Sequence, residues 1–523
     1  MSLKEQYEFL VFLLVAILIL ELVARRLGLP PAASFIAGGM ALAFVPGVPV
    51  IEIDPDLVMV VFLPPLLMSS AYFTIWRDFK DQWRGIFSLA FGAVIFTTMS
   101  VGWVVHLVLP ELPLPVAFAL GAVVSPPDAV AASAVLSKLN LPSRLVALLE
   151  GESLVNDATG LVLFAIAVTA ALTGEFSVYQ ATGSFIWLTA AGTSVGLGTG
   201  WLGIQAIKRL PEPELVVTAT LLLSTTSYVA GEAVGGSGVL STVATGLVIG
   251  WNHHEAVPAA TRVGAQSFWK ALVFIMESLL FILIGLSLRG LVARLSSVTD
   301  PVYLGVVPVS AVVATVVIAR FVWISGCAGA MKVRQASGYA SRNDMSPGSL
   351  VVIAWSGMRG VVTLTAALSF PAELPGRDLV LVASFAVIVV TVLLQGSTLA
   401  PLARALGVAA PEEAAKFMES KVAVRRHLSA IRGETAATGK SAGVQQQSTA
   451  DIEEDSEFEA DRIEAAVQRV RAARAELLRI YRKGDVHENV MRDIEHELDL
   501  EEMGAQLRKH GVAPDGRAAR EKS

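Results

Sequence analysis

The chain has 523 residues but a single cysteine, Cys327, and only 16 % of its residues are charged. One cysteine excludes a disulfide within the chain and a cysteine-based metal cluster, so redox chemistry is not expected. So few charges, together with 54 % hydrophobic residues and a mean hydropathy of +0.61, are incompatible with a soluble globular domain. The composition predicts a membrane protein that has no cofactor and no nucleic-acid partner.

Long apolar segments recur along the first four fifths of the chain. Their length of about 20 residues suits helices that cross the bilayer, whereas β-barrel strands would alternate in shorter segments. The first segment resembles a signal peptide, but Arg25 and Arg26 follow it and no small-residue cleavage site is present. We therefore predict an all-α protein with about thirteen transmembrane helices, near residues 7–25, 30–46, 56–75, 85–109, 113–136, 145–172, 178–207, 213–232, 236–251, 269–288, 302–331, 348–370 and 378–403.

Lysine and arginine are concentrated in alternate loops between these segments, such as the pairs Arg25/Arg26 and Lys208/Arg209. Because cytoplasmic loops carry the excess of basic residues, the bias predicts an N-terminus outside the cell and a C-terminus in the cytoplasm. An odd number of spans agrees with this orientation. The expected location is the plasma (inner) membrane, crossed many times.

Past Pro411 the composition becomes densely charged, and the stretch 433–450 reads as a flexible linker. The sequence thus divides into a membrane domain, 1–408, and a helical cytoplasmic tail, 409–523. The tail contains two amphipathic patterns, which fit either solvated helices without a specific partner or a regulatory hairpin. Its histidines do not have the spacing of a metal site: His487, His496 and His510.

Few ionisable residues interrupt the apolar segments, and each costs at least about 2.5–3.5 kcal/mol at mid-membrane unless it has a partner, a water-filled cavity or a function. On a helix, Glu152 and Asn156 lie about 40° apart, whereas Glu152 and Asp157 lie about 140° apart. We expect one acid to face a fixed basic partner and the other a cavity. The alternative, that all the acids form structural ion pairs, needs more than the two arginines within these spans. The intramembrane charges are Asp128, Glu152, Asp157, Glu232, Glu277, Arg320 and Arg359.

Two consecutive prolines interrupt the fifth segment, in the sequence Ser125-Pro126-Pro127-Asp128. Prolines remove backbone donors and break a helix, and broken helices at membrane depth mark ion sites in transporters. A simple packing kink is the alternative. A second interruption is predicted in GMRGVVTLTAALSFP, where Gly357 and Gly360 flank Arg359.

These motifs, GESLVNDATGLVLF, SPPDAVAASAVL, GSGVLSTVATGLVIG, FIMESLLFILIGLSL and GMRGVVTLTAALSFP, resemble those of the monovalent cation:proton antiporter family, in its electroneutral, bacterial-type sodium/proton exchanger branch. The resemblance covers about residues 8–405. It implies two inverted six-helix repeats with unwound crossing helices, a homodimer, and an elevator-like movement of a core domain.

The resemblance also implies roles for individual residues. Asp157 matches the aspartate that binds the ion and the proton, with Asn156 before it, and Asp128 matches the aspartate of an unwound crossing helix; Ser153 is included in this predicted ion-binding set. Glu152 matches a glutamate paired with a buried arginine, for which Arg320 is the better match, and Arg359 matches the arginine of the opposite crossing helix. Three residues depart from the family pattern: Pro127 stands where threonine is frequent, Ala129 where proline is frequent, and Glu277 where asparagine is more usual.

The chemistry of these residues predicts exchange. A carboxylate in a cavity holds either a hard cation or a proton, because each neutralises the same charge. We predict electroneutral one-for-one antiport of Na⁺ and H⁺, and not an enzyme, with K⁺ or Li⁺ as alternative cations. An intramembrane aspartyl protease would carry a Gly-x-Gly-Asp sequence, which is absent, and HHEAV at 253–257 lacks the second histidine of a zinc protease at the required spacing. A channel is the remaining alternative.

Overall fold

The computed structural model describes residues 3–46, 48, 54–128, 132, 141–210, 212–297, 306–336, 345–408, 417–430, 452–483 and 485–511. Within these ranges the regular elements are helices and none is a strand, which confirms the all-α prediction. The predicted linker 433–450 and most of the segment 129–136 lie outside the described residues. By their contacts, the described residues divide into two compact units.

The first unit contains most of the membrane domain. Across the part of the chain that the structure describes, eight helices are long and apolar enough to cross a membrane, namely α1, α3, α4, α6, α8, α10, α11 and α14. The chain is therefore a multi-pass membrane protein, and each predicted apolar segment overlaps a helix, although the number of spans and the repeats remain predictions. The helices up to residue 408 are α1 (Leu3–Leu27), α2 (Pro31–Ala43), α3 (Pro55–Phe73), α4 (Trp76–Val108), α5 (Leu114–Val124), α6 (Ser143–Thr173), α7 (Val178–Ile207), α8 (Pro213–Ala233), α9 (Gly238–Ala256), α10 (Ala259–Ser297), α11 (Val306–Ala336), α12 (Pro347–Trp355), α13 (Val361–Leu368) and α14 (Arg377–Ala405).

Helices α2 and α10 cross with their backbones in contact. Gly39 of α2 has no room for a side chain, because a Cβ there would clash with the carbonyl oxygen of Ile282. Gly285 of α10 is equally tight against the carbonyl oxygen of Ile36. In lipid the hydrophobic effect does not draw helices together, so small residues that permit close approach take over that role.

A cluster of hydroxyl groups joins α7, α8 and α9. The Oγ1 atoms of Thr199 and Thr245 lie 2.7 Å apart. The Oγ atom of Ser227 lies 2.7 Å from Thr245 Oγ1 and 2.8 Å from Ser241 Oγ. Hydrogen bonds of this kind satisfy hydroxyl groups that would otherwise be stranded in an apolar interior, and they hold the three helices together.

Two helices of the membrane domain are interrupted where the sequence predicts a break. Helix α5 ends at Val124, and Ser125 to Asp128 are not helical. Helix α12 ends at Trp355, and the chain runs unwound to Gly360 before α13 begins. Prolines end the first helix by removing donors, and glycines permit the second interruption by allowing the close approach described below.

The second unit consists of the described residues of 207–218, 254–268 and the tail. The tail forms helices at 417–430 (α15), Ile452–Lys483 (α16) and Glu488–Gly511 (α17). The apolar stripes of α16 and α17 face one another around a shared core, and α15 adds Val424 and Leu428 to it. The central residues of this core are almost fully buried: Leu477, Val490, Met491, Ile494 and Leu498. The described part of the tail therefore forms a helical hairpin with its own core, and its regulatory role stays a prediction.

Candidate functional site

The acidic motif lies on the middle turns of α6. Glu152, Asn156 and Asp157 are buried there, with 2 %, 0 % and 9 % of their surface exposed. One turn further on, Gly160 packs against the ring of Pro126, because a Cβ at position 160 would lie 2.8 Å from Pro126 Cγ. This contact brings the motif next to the interruption that follows α5.

Glu152 forms a bidentate ion pair with Arg320 of α11. Its Oε1 and Oε2 atoms accept hydrogen bonds from Nη1 and Nη2 of Arg320 at 2.5 and 2.8 Å. Arg320 Nε also donates to the carbonyl oxygen of Ile353 at 3.1 Å. Both carboxylate oxygens of Glu152 are thus engaged by one guanidinium, the strongest geometry for such a pair. Each carboxylate oxygen of Glu152 therefore accepts a hydrogen bond.

Arg359 belongs to the unwound segment that precedes α13, and its guanidinium contacts the C-terminal end of α5. Its Nε and Nη2 atoms donate to the carbonyl oxygens of Val124 and Ser125 at 2.9 and 3.1 Å. Its Nη1 atom donates to the carbonyl oxygen of Gly357, and its backbone N–H donates to Thr391 Oγ1 at 3.0 Å. The final carbonyls of a helix have no partner within it, so a buried cation is a favourable cap.

Asp128 joins the two interrupted segments. Its backbone N–H donates to the carbonyl oxygen of Met358 at 2.7 Å. Its carboxylate occupies the space beside Gly360 that a Cβ would fill, so a side chain at position 360 would displace the carboxylate. The carboxylate thus lies close to the residue that precedes α13, where the partial positive charge of the helix N-terminus favours an anion.

Asn156 ties α6 to the first interruption. Its Nδ2 atom donates to the carbonyl oxygen of Pro127 at 2.5 Å. Its Oδ1 atom is buried and accepts no hydrogen bond from any described residue. The carbonyls of Ser125 and Pro127 already accept hydrogen bonds from Arg359 and Asn156, so neither is an uncommitted ion ligand.

A cavity of about 60 Å³ lies at the junction of these elements, and we call it the ion cavity. Asp128, Ser153 and Asp157 line it, so three of the four residues in the predicted ion-binding set share one space. Its volume accommodates a few water molecules or a partly hydrated monovalent cation. Oxygen atoms from carboxylates and hydroxyls are suitable ligands for a hard cation.

Four residues at or near the site were not predicted as site residues from the sequence. Ser70 and Thr363 line the ion cavity, and Thr391 supports the backbone of Arg359. Glu277 also lines the cavity, although the sequence assigned it no role. The three hydroxyl residues gave only a weak signal in the sequence, because a lone hydroxyl in an apolar helix usually donates to a carbonyl of its own helix, as Thr391 does.

The sequence profile of the family described as "Sodium/hydrogen exchanger, transmembrane" matches residues 10–405. The chain belongs to this family. The match covers the whole set of interrupted helices and buried charges described above. The sodium/hydrogen exchangers are transporters and not enzymes, which agrees with the prediction that this chain is not an enzyme.

Curated relatives extend this assignment. The Na(+)/H(+) antiporter ApNhaP of Aphanothece halophytica is 31 % identical over 384 residues, which cover 72 % of this chain and 70 % of the relative. The sodium, potassium, lithium and rubidium/H(+) antiporter of Bacillus pumilus is 32 % identical over 382 residues, covering 70 % of this chain and 56 % of the relative. The chain spans about three fifths of the length of the Bacillus pumilus protein and of an Escherichia coli relative.

Among solved structures, the sodium proton antiporter MjNhaP1 from Methanocaldococcus jannaschii at pH 8 superimposes with a TM-score of 0.61. The superposition covers 78 % of this chain and 99 % of the MjNhaP1 chain, at 20 % sequence identity. At this identity the likeness concerns the fold alone. It confirms an antiporter-like helical architecture for the membrane domain.

Proposed function

We propose that this protein is a secondary active antiporter, which moves a monovalent cation across the membrane in exchange for H⁺. Na⁺ is the first candidate for this cation. The observation that carries the proposal is the contrast between two acids on α6. Glu152 is fully engaged by Arg320, whereas Asp157 lines a cavity. A carboxylate in a cavity accepts a cation or a proton in turn, and access that alternates between the two sides of the membrane converts this competition into exchange.

We further propose that exchange is electroneutral, with one cation for one proton. Glu152 and Arg320 neutralise each other, and the amide of Asn156 has no titratable proton. If Asp157 is the one group whose occupant changes, each half-cycle carries one positive charge on one carboxylate. The bound site then has the same net charge with either occupant.

The geometry supports K⁺ or Li⁺ as alternative cations. The Bacillus pumilus relative is named as an antiporter of sodium, potassium, lithium and rubidium, and ApNhaP as an antiporter of sodium. A single carboxylate with hydroxyl neighbours provides ligands that suit all of these ions, so selectivity has to be measured.

The direct test uses purified protein in vesicles that contain a pH-sensitive dye. Addition of Na⁺, K⁺ or Li⁺ outside should move protons, and the ranking of the rates gives the selectivity. Asp157→Asn removes the titratable group at nearly constant size, so we expect a folded protein without exchange. Exchange by this variant at the wild-type rate would contradict the assignment of Asp157. Electrical current without coupled proton movement would instead indicate a channel.

The location and assembly are also part of the proposal. The basic residues of alternate loops support a plasma-membrane protein with the N-terminus outside and the tail in the cytoplasm. We propose a homodimer, as the family resemblance implies. Labelling of single introduced cysteines from either side tests the orientation, and the mass of the detergent-solubilised protein tests the oligomeric state.

We propose a regulatory role for the tail, supported by a buried ionic network within the second unit. Arg262, in the first turn of α10, donates to Asp499 of α17 from Nε at 2.9 Å and from Nη2 at 2.5 Å. Arg474 of α16 donates to the same Asp499 at 2.7 Å and lies 2.6 Å from Glu502. Within the second unit, the tail thus contacts the first turn of α10.

The test compares Asp499→Asn with Asp493→Asn. Asp499 is buried, with 4 % of its side chain exposed, whereas Asp493 is 53 % exposed and pairs with Lys421 at the tail surface. We expect the buried change to shift the pH or cation dependence of exchange and the surface change to have no effect. Identical profiles for both variants and wild type would contradict a regulatory role for this contact.

A further inference from the structure

Glu277 belongs to two cavities. It lines the ion cavity together with Asp128 and Asp157. It also lines a second cavity of about 260 Å³, formed by α10 and α3, which we call the outer cavity because no residue of α6 lines it; the predicted orientation places it at the cytoplasmic end of α10. Among the described residues that line these spaces, Glu277 is the only one common to both: the others around the outer cavity are Ser69, Phe73, Trp269, Lys270, Val273 and Phe274.

The outer cavity follows one face of α10. Lys270 and Glu277 are seven residues apart, which places them two turns apart on the same face, about 10 Å along the axis. Lys270 is exposed, whereas Glu277 is partly buried. Phe281 continues the same face into the ion cavity. The outer cavity therefore leads from an exposed part of α10 toward Glu277, and the ion cavity lies beyond it.

Glu277 differs from the other buried glutamate in its partners. Glu152 has a bidentate partner in Arg320, whereas Glu277 forms no hydrogen bond or ion pair within the described residues. The charged groups around it are Asp128 and Asp157 on the ion-cavity side and Lys270 at the far end of the outer cavity. A carboxylate in such surroundings is stabilised by a mobile cation, a proton or water.

The ion cavity has a further feature that indicates a ligand. Thr363 lines it with 1 % of its surface exposed, and Thr363 Oγ1 has no hydrogen-bond partner among the described residues. A buried hydroxyl without a partner is costly, and a bound cation would relieve that cost by using the oxygen as a ligand. The ion cavity is therefore lined by carboxylates and by a hydroxyl oxygen that has no hydrogen-bond partner among the described residues.

We propose that Glu277 is a relay residue that captures the cation from the outer cavity and passes it to Asp157. This inference rests on the proposed antiport and adds a second carboxylate on the route to the site. The charge of Glu277 attracts the cation toward the site, so that a lower Na⁺ concentration is needed to fill it. It is not required once the cation saturates the site, because Asp157 remains the group at which exchange occurs.

The test compares Glu277→Gln and Glu277→Asp with wild type, with Glu232→Gln as a control. Glu232 is an exposed membrane-domain acid that does not line either cavity. At an effective dielectric constant near 20, removal of a unit charge on the order of 10 Å from a cation corresponds to an apparent KM for Na⁺ roughly 10- to 20-fold higher. We expect this rise for Glu277→Gln with the maximal rate retained, recovery of most of the effect in Glu277→Asp, and no change in Glu232→Gln.

Unchanged KM for Glu277→Gln, or a lower maximal rate with unchanged KM, would overturn the relay. Cation-dependent stabilisation against heat provides a readout that does not require transport. Wild type should be stabilised by NaCl relative to choline chloride at equal ionic strength, and Glu277→Gln should need a higher Na⁺ concentration for the same effect. Wild type that binds Na⁺ in this way but does not exchange it would refute the antiport and leave the role of Glu277 in cation binding intact. Equal Na⁺ dependence in both proteins would refute the relay alone.

Discussion

The ion pair between Glu152 and Arg320 gives the prediction that can be quantified most directly. Glu152→Gln keeps the size of the side chain and removes its charge. Both oxygens of Glu152 accept from the guanidinium, at 2.5 and 2.8 Å, and the two residues are only 2 % and 3 % exposed. The substitution therefore leaves a guanidinium charge that water cannot reach.

Two considerations give the magnitude. Hydrogen bonds to charged groups contribute about 1.5–3 kcal/mol each, so two of them correspond to about 3–6 kcal/mol. Removal of one partner from a buried ion pair costs about 3–5 kcal/mol, because the other charge stays buried without compensation. The two values overlap, and we expect a loss of about 3–5 kcal/mol in the free energy of unfolding, with transport reduced as well.

The assay is thermal unfolding in detergent, scanned at one fixed rate because large proteins often unfold irreversibly. Glu175→Gln is a matched control, since Glu175 is an exposed acid just past the end of α6. The double variant Glu152→Gln/Arg320→Gln removes both charges and should recover part of the loss, which a double-mutant cycle measures as a coupling energy. Unfolding of Glu152→Gln at the wild-type temperature, or strictly additive losses in the double variant, would refute the pairing.

Three further predictions concern other parts of the molecule. An imposed membrane potential should leave the wild-type exchange rate nearly unchanged, because potential acts on net charge at about 2.3 kcal/mol per charge per 100 mV; a strong dependence would refute one-for-one exchange. Gly360→Ala should reduce exchange, because the added methyl group displaces the Asp128 carboxylate, whereas Gly264→Ala, where nothing lies nearby, should not. Finally, although burial opposes it, hydrogen bonding by Arg474 and Arg471 holds the pKa of Glu502 below its ordinary value. This stabilisation is present above the unfolded pKa of about 4.3 and is lost as pH falls below it. Hydrogen-exchange protection of α17, corrected for intrinsic rates, should therefore decrease between about pH 6 and pH 3.5, and constant protection would contradict this assignment.

The sequence was sufficient to locate the helices because a helix in lipid must satisfy its backbone hydrogen bonds within its own segment. Each long apolar run therefore contains the information for one helix, as α1 and α6 illustrate. The interruptions were equally local, since Pro126 and Pro127 lack donors wherever they occur. Periodicity also predicted the two amphipathic helices of the tail, which bury Leu477 and Ile494 in their shared core.

Local sequence patterns did not determine which residues pair with the buried charges. From the residues alone, Arg320 and Arg359 were equivalent candidates for Glu152, and only the family resemblance favoured Arg320. The fold distinguishes them because α11 brings Arg320 to α6, while Arg359 lies at the end of α5 and donates to backbone carbonyls. Helical spacing fixes the angles between residues on one helix, but it contains no information about which helix is adjacent.

The position of Glu277 depends still more on tertiary structure. In the sequence it is one acid within an apolar run, more than 100 residues from Asp157. The contact between Gly39 and Gly285 holds α10 close to α2, and α10 lines the ion cavity together with α3, α6 and α13. A cavity exists only where several helices fail to fill the space between them, so its location and lining residues depend on how all of them pack. The sequence determined which residues are charged within the membrane, and the packing of the helices decided which of those charges share a cavity.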